Sequence, residues 1–112
     1  MTNKTRVLNL LGLAFKAKKL ITGEENVMNA LKDTNTKNSP KIVFVASDAS
    51  SRTIDNFSRK CFFYKVEFTN LLSTEEMSGA LGKTLVKIIA VTDQGFYKSL
   101  EEILKRGELN ES

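Results

Sequence analysis

Apolar residues recur along this chain in two alternating rhythms, one helical and one extended. The first helical stretch covers residues 5–18, with Val7 or Leu8, Leu11, Ala14 and Phe15 at i, i+3, i+4 spacing and Leu10, Leu13 and Ala17 widening the apolar face. Leu20-Ile21 follows as a short strand, and Thr22-Gly23 turns the chain into a second helix ending near Lys32. Thr22 and Glu25 have the spacing of a capping box, in which each side chain satisfies the other residue's backbone N–H. Val27, Ala30 and Leu31 form that helix's inner face, and Glu25, Asn26 and Asn29 share the opposite one. Asp33 to Lys41 is a polar loop holding the chain's one proline, Pro40. Ile42-Val43-Phe44-Val45-Ala46 does not alternate, so it predicts a central strand buried on both faces.

The second half repeats the rhythm. Ser47 to Ser51 offers N-caps for a helix over residues 51–62, with Ile54, Phe57, Ser58 and Cys61 inward. Lys65 to Phe68 alternates as a strand with Val66 and Phe68 inward. Ser73-x-x-Glu76 is a second capping-box pattern, opening a short helix with Met77, Ala80 and Leu81 inside and Gly82 as its stop. Leu85 to Val91 reads as the last strand. A terminal helix then carries Phe96, Leu100, Ile103 and Leu104 on one stripe, with Gly107 as C-cap and residues 108–112 expected to fray. Such alternation indicates an α/β domain, helices covering both faces of a small, mostly parallel sheet.

A chain of 112 residues suits one domain, residues 1–112, with a single core. Its single cysteine cannot form an internal disulfide, which fits a reducing, cytoplasmic setting, and no apolar run is long enough for a membrane span. Net charge is only +4, but it is unevenly placed. Residues 1–20 hold Lys4, Arg6, Lys16, Lys18 and Lys19 with no acid, whereas Glu101, Glu102, Glu108 and Glu111 crowd the end. A basic front favours an anionic partner such as nucleic acid.

Catalytic chemistry finds little support. The chain has no histidine, which removes the commonest general base and metal ligand. Cys61 falls on an inward stripe, and no Cys or His cluster suits a metal. Gly79-Ala80-Leu81-Gly82-Lys83-Thr84 resembles a phosphate-binding loop, but Met77 stands where its first glycine is needed. The segment also runs from helix to strand, the reverse of that loop. The expectation is a protein that is not an enzyme and needs no cofactor or metal.

The order of these signals resembles the kink-turn RNA-binding ribosomal proteins, the large-subunit "seven-Ae" and "thirty-e" type. The matching pieces are Ala17-Lys18-Lys19-Leu20-Ile21-Thr22-Gly23, residues 42–49 (Ile42 to Ala49), Met77-Ser78-Gly79-Ala80-Leu81-Gly82-Lys83 and Ile88-Ile89-Ala90-Val91, spread over residues 7–104. Gly23-Glu24-Glu25, Cys61-x-x-Tyr64-Lys65-Val66 and residues 91–96 (Val91 to Phe96) look like its bacterial YlxQ branch. The resemblance implies a three-layer α-β-α sandwich around a four-stranded mixed sheet. It also implies binding of structured RNA, ribosomal or kink-turn-containing, at a sharply bent internal loop where splayed bases can be read. A monomer, free or on the ribosome, is expected.

The family's Gly-x-Asn-Glu-x-x-Lys signature falls on Gly23 to Asn29, with Glu25, Asn26 and Asn29 replacing its asparagine, glutamate and lysine. Asn26 keeps donor and acceptor groups for a guanine edge, and Glu25 can accept from an amino group. Losing a lysine at Asn29 moves phosphate contact toward Lys19 and Lys83. The family's apolar platform for a flipped-out base maps to Leu71-Leu72-Ser73, although two leucines before a helix cap also suit a hydrophobic staple or the core. The expected RNA-facing set is Lys18, Lys19, Gly23, Glu24, Glu25, Asn26, Asn29, Lys32, Asp48, Leu71, Leu72, Ser73 and Lys83. The loop of residues 33–41 could extend that surface through Lys37 and Lys41 or be a neutral insertion. The altered signature also suits a second class, a protein-interaction module that keeps the fold without specific kink-turn binding.

Overall fold

Four residues in unbroken apolar succession, Ile42 to Val45, have no solvent face and lie at the centre of the sheet. The computed structural model describes residues 2–33 and 39–105. Its elements are α1 (Asn3–Lys16), β1 (Leu20–Thr22), α2 (Glu24–Lys32), β2 (Ile42–Val45), α3 (Ser51–Tyr64), β3 (Glu67–Thr69), α4 (Thr74–Leu81), β4 (Ile88–Val91) and α5 (Gln94–Lys105). The strands run in the order β1-β4-β2-β3.

Alternation within the two central strands divides the core. Ile42 and Phe44 of β2, with Ile89 and Val91 of β4, meet Val7 and Leu11 of α1, Met77 and Leu81 of α4, and Leu100 of α5. Val43, Val45, Ile88 and Ala90 face the other way, onto Val27 and Leu31 of α2 and Phe57 and Cys61 of α3. The result is a three-layer α-β-α sandwich around a four-stranded mixed sheet. It is less parallel than the alternation of helices and strands suggests. Only β2–β3 is parallel, and β1–β4 and β2–β4 are antiparallel.

Several boundaries shift for identifiable reasons. α1 starts earlier because Thr2 caps it, its hydroxyl accepting from the Thr5 N–H at 3.0 Å. It ends at Lys16, and Lys18 then takes a left-handed φ of 61°. The capping box expected at Thr22 and Glu25 does not form. Thr22 pairs with Ile89 in the sheet, so Gly23 becomes the cap residue, with φ 98° and no side-chain cap bond. α3 runs on to Tyr64, and Lys65 turns the chain at φ 59° before β3. Leu85, φ 54°, is not in a strand, and β4 begins only at Ile88. The Ser73–Glu76 box forms as expected: Glu76 N–H donates to Ser73 Oγ at 3.1 Å, and Ser73 N–H to Glu76 Oε1 at 2.9 Å. Gly107, the tail and Lys37 lie outside the described residues.

α1 and α4 cross where Gly12 faces Ala80. A Cβ at position 12 would stand 2.9 Å from the Ala80 carbonyl oxygen. Lys4 Nζ reaches Glu76 Oε2 at 2.9 Å across the same crossing. Cys61 is buried against α2 and the sheet, which pushes its thiol up to about 12.

Candidate nucleic-acid interface

Strand directions bring four separate connections to one end of the sheet. β1, β2 and β3 all finish there and β4 starts there, so Gly23, residues 47–50, residues 70–73 and residues 82–87 become neighbours. Backbone bonds lock them together. Gly23 N–H donates to the Ile88 carbonyl at 3.1 Å, Ala46 N–H to Lys87 at 2.8 Å, and Ser47 N–H to Leu72 at 2.8 Å. Between them opens a cleft of 410 Å³ whose walls include Gly23, Glu24, Ser50, Thr53, Lys83 and Lys87.

α2 contributes its open N-terminus to this rim. With no side-chain cap, its first N–H groups remain available as donors, and Glu24 and Glu25 suit the positive end of the helix dipole. Asn26 donates through Nδ2 to the Thr22 carbonyl at 3.2 Å, which orients the exposed amide. Asn29 is exposed one turn further on. Lys32 closes the helix at its far end, about 13 Å along the axis from Gly23 by helical rise.

Asp48 and Ser73 act on the loops themselves. The Asp48 carboxylate accepts from Thr74 N–H at 2.8 Å and Thr74 Oγ1 at 3.0 Å. The Thr74 backbone bond is the main reason its carboxyl sits below its usual value, helped by the Thr74 hydroxyl and Lys87. Glu76 is also lowered: desolvation pushes it up, but the Ser73 N–H and Lys4 outweigh that. Together these groups pin the start of α4 to the loop after β2.

The expected apolar platform divides into unlike halves. Leu72 is 1 % exposed in the core beside Met77, so it cannot meet a base without leaving the interior. Its place just before the Ser73 cap, with Met77 four residues after it, is that of a hydrophobic staple. Leu71 is 52 % exposed. Leu85, not expected in this role, is 78 % exposed at the cleft and held outward by its left-handed backbone. Val86 beside it is buried, its N–H donating to Ser78 Oγ at 2.8 Å.

The cations also separate. Lys83 stands at the cleft, its Nζ 5.5 Å from the Phe15 ring centre, and Lys87 lines the same wall. Lys18 and Lys19 precede β1 and lie at the opposite end of that strand. There the Lys19 carbonyl accepts from Thr92 N–H at 3.0 Å and Thr92 Oγ1 at 3.1 Å. They are not brought together with Gly23. Lys87 and Leu85 were legible only as members of an expected strand, and the signal for a loop was the Gly82-Lys83-Thr84 run before them. Among the described residues no acid, cysteine or histidine cluster suits a metal ion, and no helix is long and apolar enough to cross a membrane.

Residues 5–101 match the ribosomal protein L7Ae/L30e/S12e/Gadd45 family. The chain is 37% identical over 103 residues to the RNA-binding protein YlxQ of Enterococcus faecium, covering 92% of this chain and 95% of that protein. It is 36% identical over 95 residues to RNA-binding protein YlxQ of Bacillus subtilis (strain 168), covering 85% and 91%. A Bacillus halodurans protein of unknown function superposes with a TM-score of 0.80 at 31% identity, covering 88% of this chain and 96% of the other. A Giardia lamblia 15.5 kD RNA binding protein gives 0.72 at 17% identity, covering 93% and 86%, a likeness of fold.

Proposed function

The chain belongs to the ribosomal protein L7Ae/L30e/S12e/Gadd45 family, and from that premise we propose that it is a non-catalytic binder of structured RNA. Its target is a kink-turn-like bent loop in ribosomal or other RNA, taken at the cleft end of the sheet. The observation that carries this is the convergence of the open α2 N-terminus, the Asn26 amide, Lys83, Lys87 and Leu85 on one rim. A splayed base can meet the amide and helix N–H groups at its edge and Leu85 on its face, and the two lysines meet phosphate. Glu25 accepts from a base amino group rather than approaching the backbone. A monomeric, cytoplasmic protein accords with this reading and with an inert, buried thiol.

The test is a salt titration on a kink-turn RNA and a matched plain duplex. Each neutralised phosphate contributes about 0.7 to 0.9 to the slope of log affinity against log salt. Lys83→Ala and Lys87→Ala should each flatten the slope by roughly that amount on either RNA. Lys19→Ala, at the other end of β1, should leave it unchanged. Asn26→Ala should keep the slope and lose preference for the bent loop. Equal binding of both RNAs by the wild type, at low salt only, would reject specific recognition and favour a protein-interaction module.

A further inference from the structure

The outward face of α3 is the one surface where exposed aromatic side chains accompany excess positive charge among the described residues. Phe62 is 87 % exposed and Phe63 72 % exposed, at the last turn of the helix. Neither contributes to the core. Phe63 is braced by Tyr64, the two rings meeting edge to face with centroids 4.9 Å apart. Arg52 and Arg59 recur at helical spacing on the same face, Lys60 and Lys65 flank the phenylalanines, and Asp55 is the only acid on α3. Arg59 is paired with Asp55 at 2.9 Å, but both side chains are well exposed, so the pair is weak and can yield to a phosphate.

This face is continuous with the cleft. A second, polar groove of 430 Å³ is lined by Glu24, Arg52, Thr53, Asp55, Asn56 and Arg59. Glu24 and Thr53 also line the cleft itself, so the two depressions are neighbours across those side chains. From Arg52 to Phe63 the helix advances about 16 Å, enough to follow a few nucleotides. Cations along a track with aromatic rings at its end are what an unpaired strand needs: charge for the backbone and π-faces for the bases. Two bare phenylalanines could instead seat another protein, but Arg52, Arg59, Lys60 and Lys65 outnumber Asp55 and Glu24 on this face beside the cleft, and that positive excess favours nucleic acid.

We propose that the outward face of α3 is a second RNA-contact surface that takes unpaired nucleotides flanking the bent loop. Phosphates run past Arg52 and Arg59, and a base stacks on Phe62 or Phe63. The proposal rests on the function given above, because it is the bent loop that sets the flanking strand at the head of the groove.

The experiment compares a kink-turn RNA with the same RNA carrying a short single-stranded extension on either strand, by fluorescence anisotropy at fixed salt. One extension should raise affinity about fivefold or more, the gain expected from one stacked base. Phe62→Ala/Phe63→Ala should abolish that gain and leave affinity for the unextended RNA unchanged, and Phe62→Tyr/Phe63→Tyr should restore it. Neither ring is buried, so the fold should survive, as a matching circular dichroism melt would verify. No gain from either extension, or a gain that survives the double alanine variant, overturns the proposal and leaves the cleft reading intact. If the wild type ignores the kink-turn, the cleft reading falls, and a free oligoribonucleotide decides α3 by itself: binding lost in the double alanine variant supports this surface, and no binding rejects it. Self-association that the double alanine variant disperses, with RNA binding unaffected, would assign the rings to a second copy of the chain and also reject it.

Discussion

Leu72 and Leu85 lie in loops at the same end of the sheet, and their surroundings give them opposite roles. Leu72→Ala should lower stability by about 2–5 kcal/mol, because it empties a filled core position. Affinity per folded molecule should hardly change. Leu85→Ala should leave stability within about 0.5 kcal/mol, as for exposed side chains generally, and weaken RNA binding by about 1–3 kcal/mol if a base packs on it. Chemical denaturation and anisotropy on the same two variants check both statements, and interchanged effects would return the platform to residues 71–73. The sequence could not separate these leucines. Apolar character marks both, but what distinguishes them is backbone handedness at Leu85, where no glycine announces it. Cys61 was legible because its helical stripe with Phe57 is regular, and the folded protein should resist a thiol reagent that labels it promptly in denaturant.

α4 is the element whose placement most affects the cleft, since it is held at its start and along one side. Its start is tied by Ser73, Glu76, Asp48 and Lys4, and its stop at Gly82 releases the loop carrying Lys83 and Leu85. Gly12→Ala forces a Cβ against the Ala80 carbonyl, backbone that cannot swing aside, so α1 and α4 must part. The expected cost is about 1–3 kcal/mol. A variant as stable as wild type would mean that the crossing gives way easily. The same Thr/Ser-x-x-Glu spacing occurs at Thr22 and Ser73, yet only the second becomes a capping box. At Ser73 nothing competes for the backbone. At Thr22 the sheet takes it first, and that pairing is with a residue far along the chain that local spacing cannot foresee.

At the scale of the whole molecule, the layers were legible and the strand directions were not. Periodicity says that Val43 and Phe44 face opposite ways, and the two clusters show it, but no pattern within a strand records which neighbour it meets. Acid should act on the joint between the layer of α1, α4 and α5 and the cleft loops. Asp48 and Glu76 both titrate below their ordinary values when folded, so each stabilises the fold above its unfolded pKa. That contribution is lost as pH falls through the lowered folded values, which puts the loss below about pH 4. Asp48→Asn should therefore melt lower than wild type near neutrality and close the gap on acidification, and a constant gap from pH 7 to 2 would sink the assignment. β1 has a further consequence, one of timing. It joins the sheet only through β4, with Leu20 opposite Val91. A growing chain therefore makes α2 early and can set it against β2 and α3 as they follow, but β1 has no partner until the last strand has been synthesised and folded back. Until then Gly23 lacks its bond to Ile88 and the cleft lacks the wall that Lys87 supplies, so the surface proposed for RNA is completed only once β4 is in place.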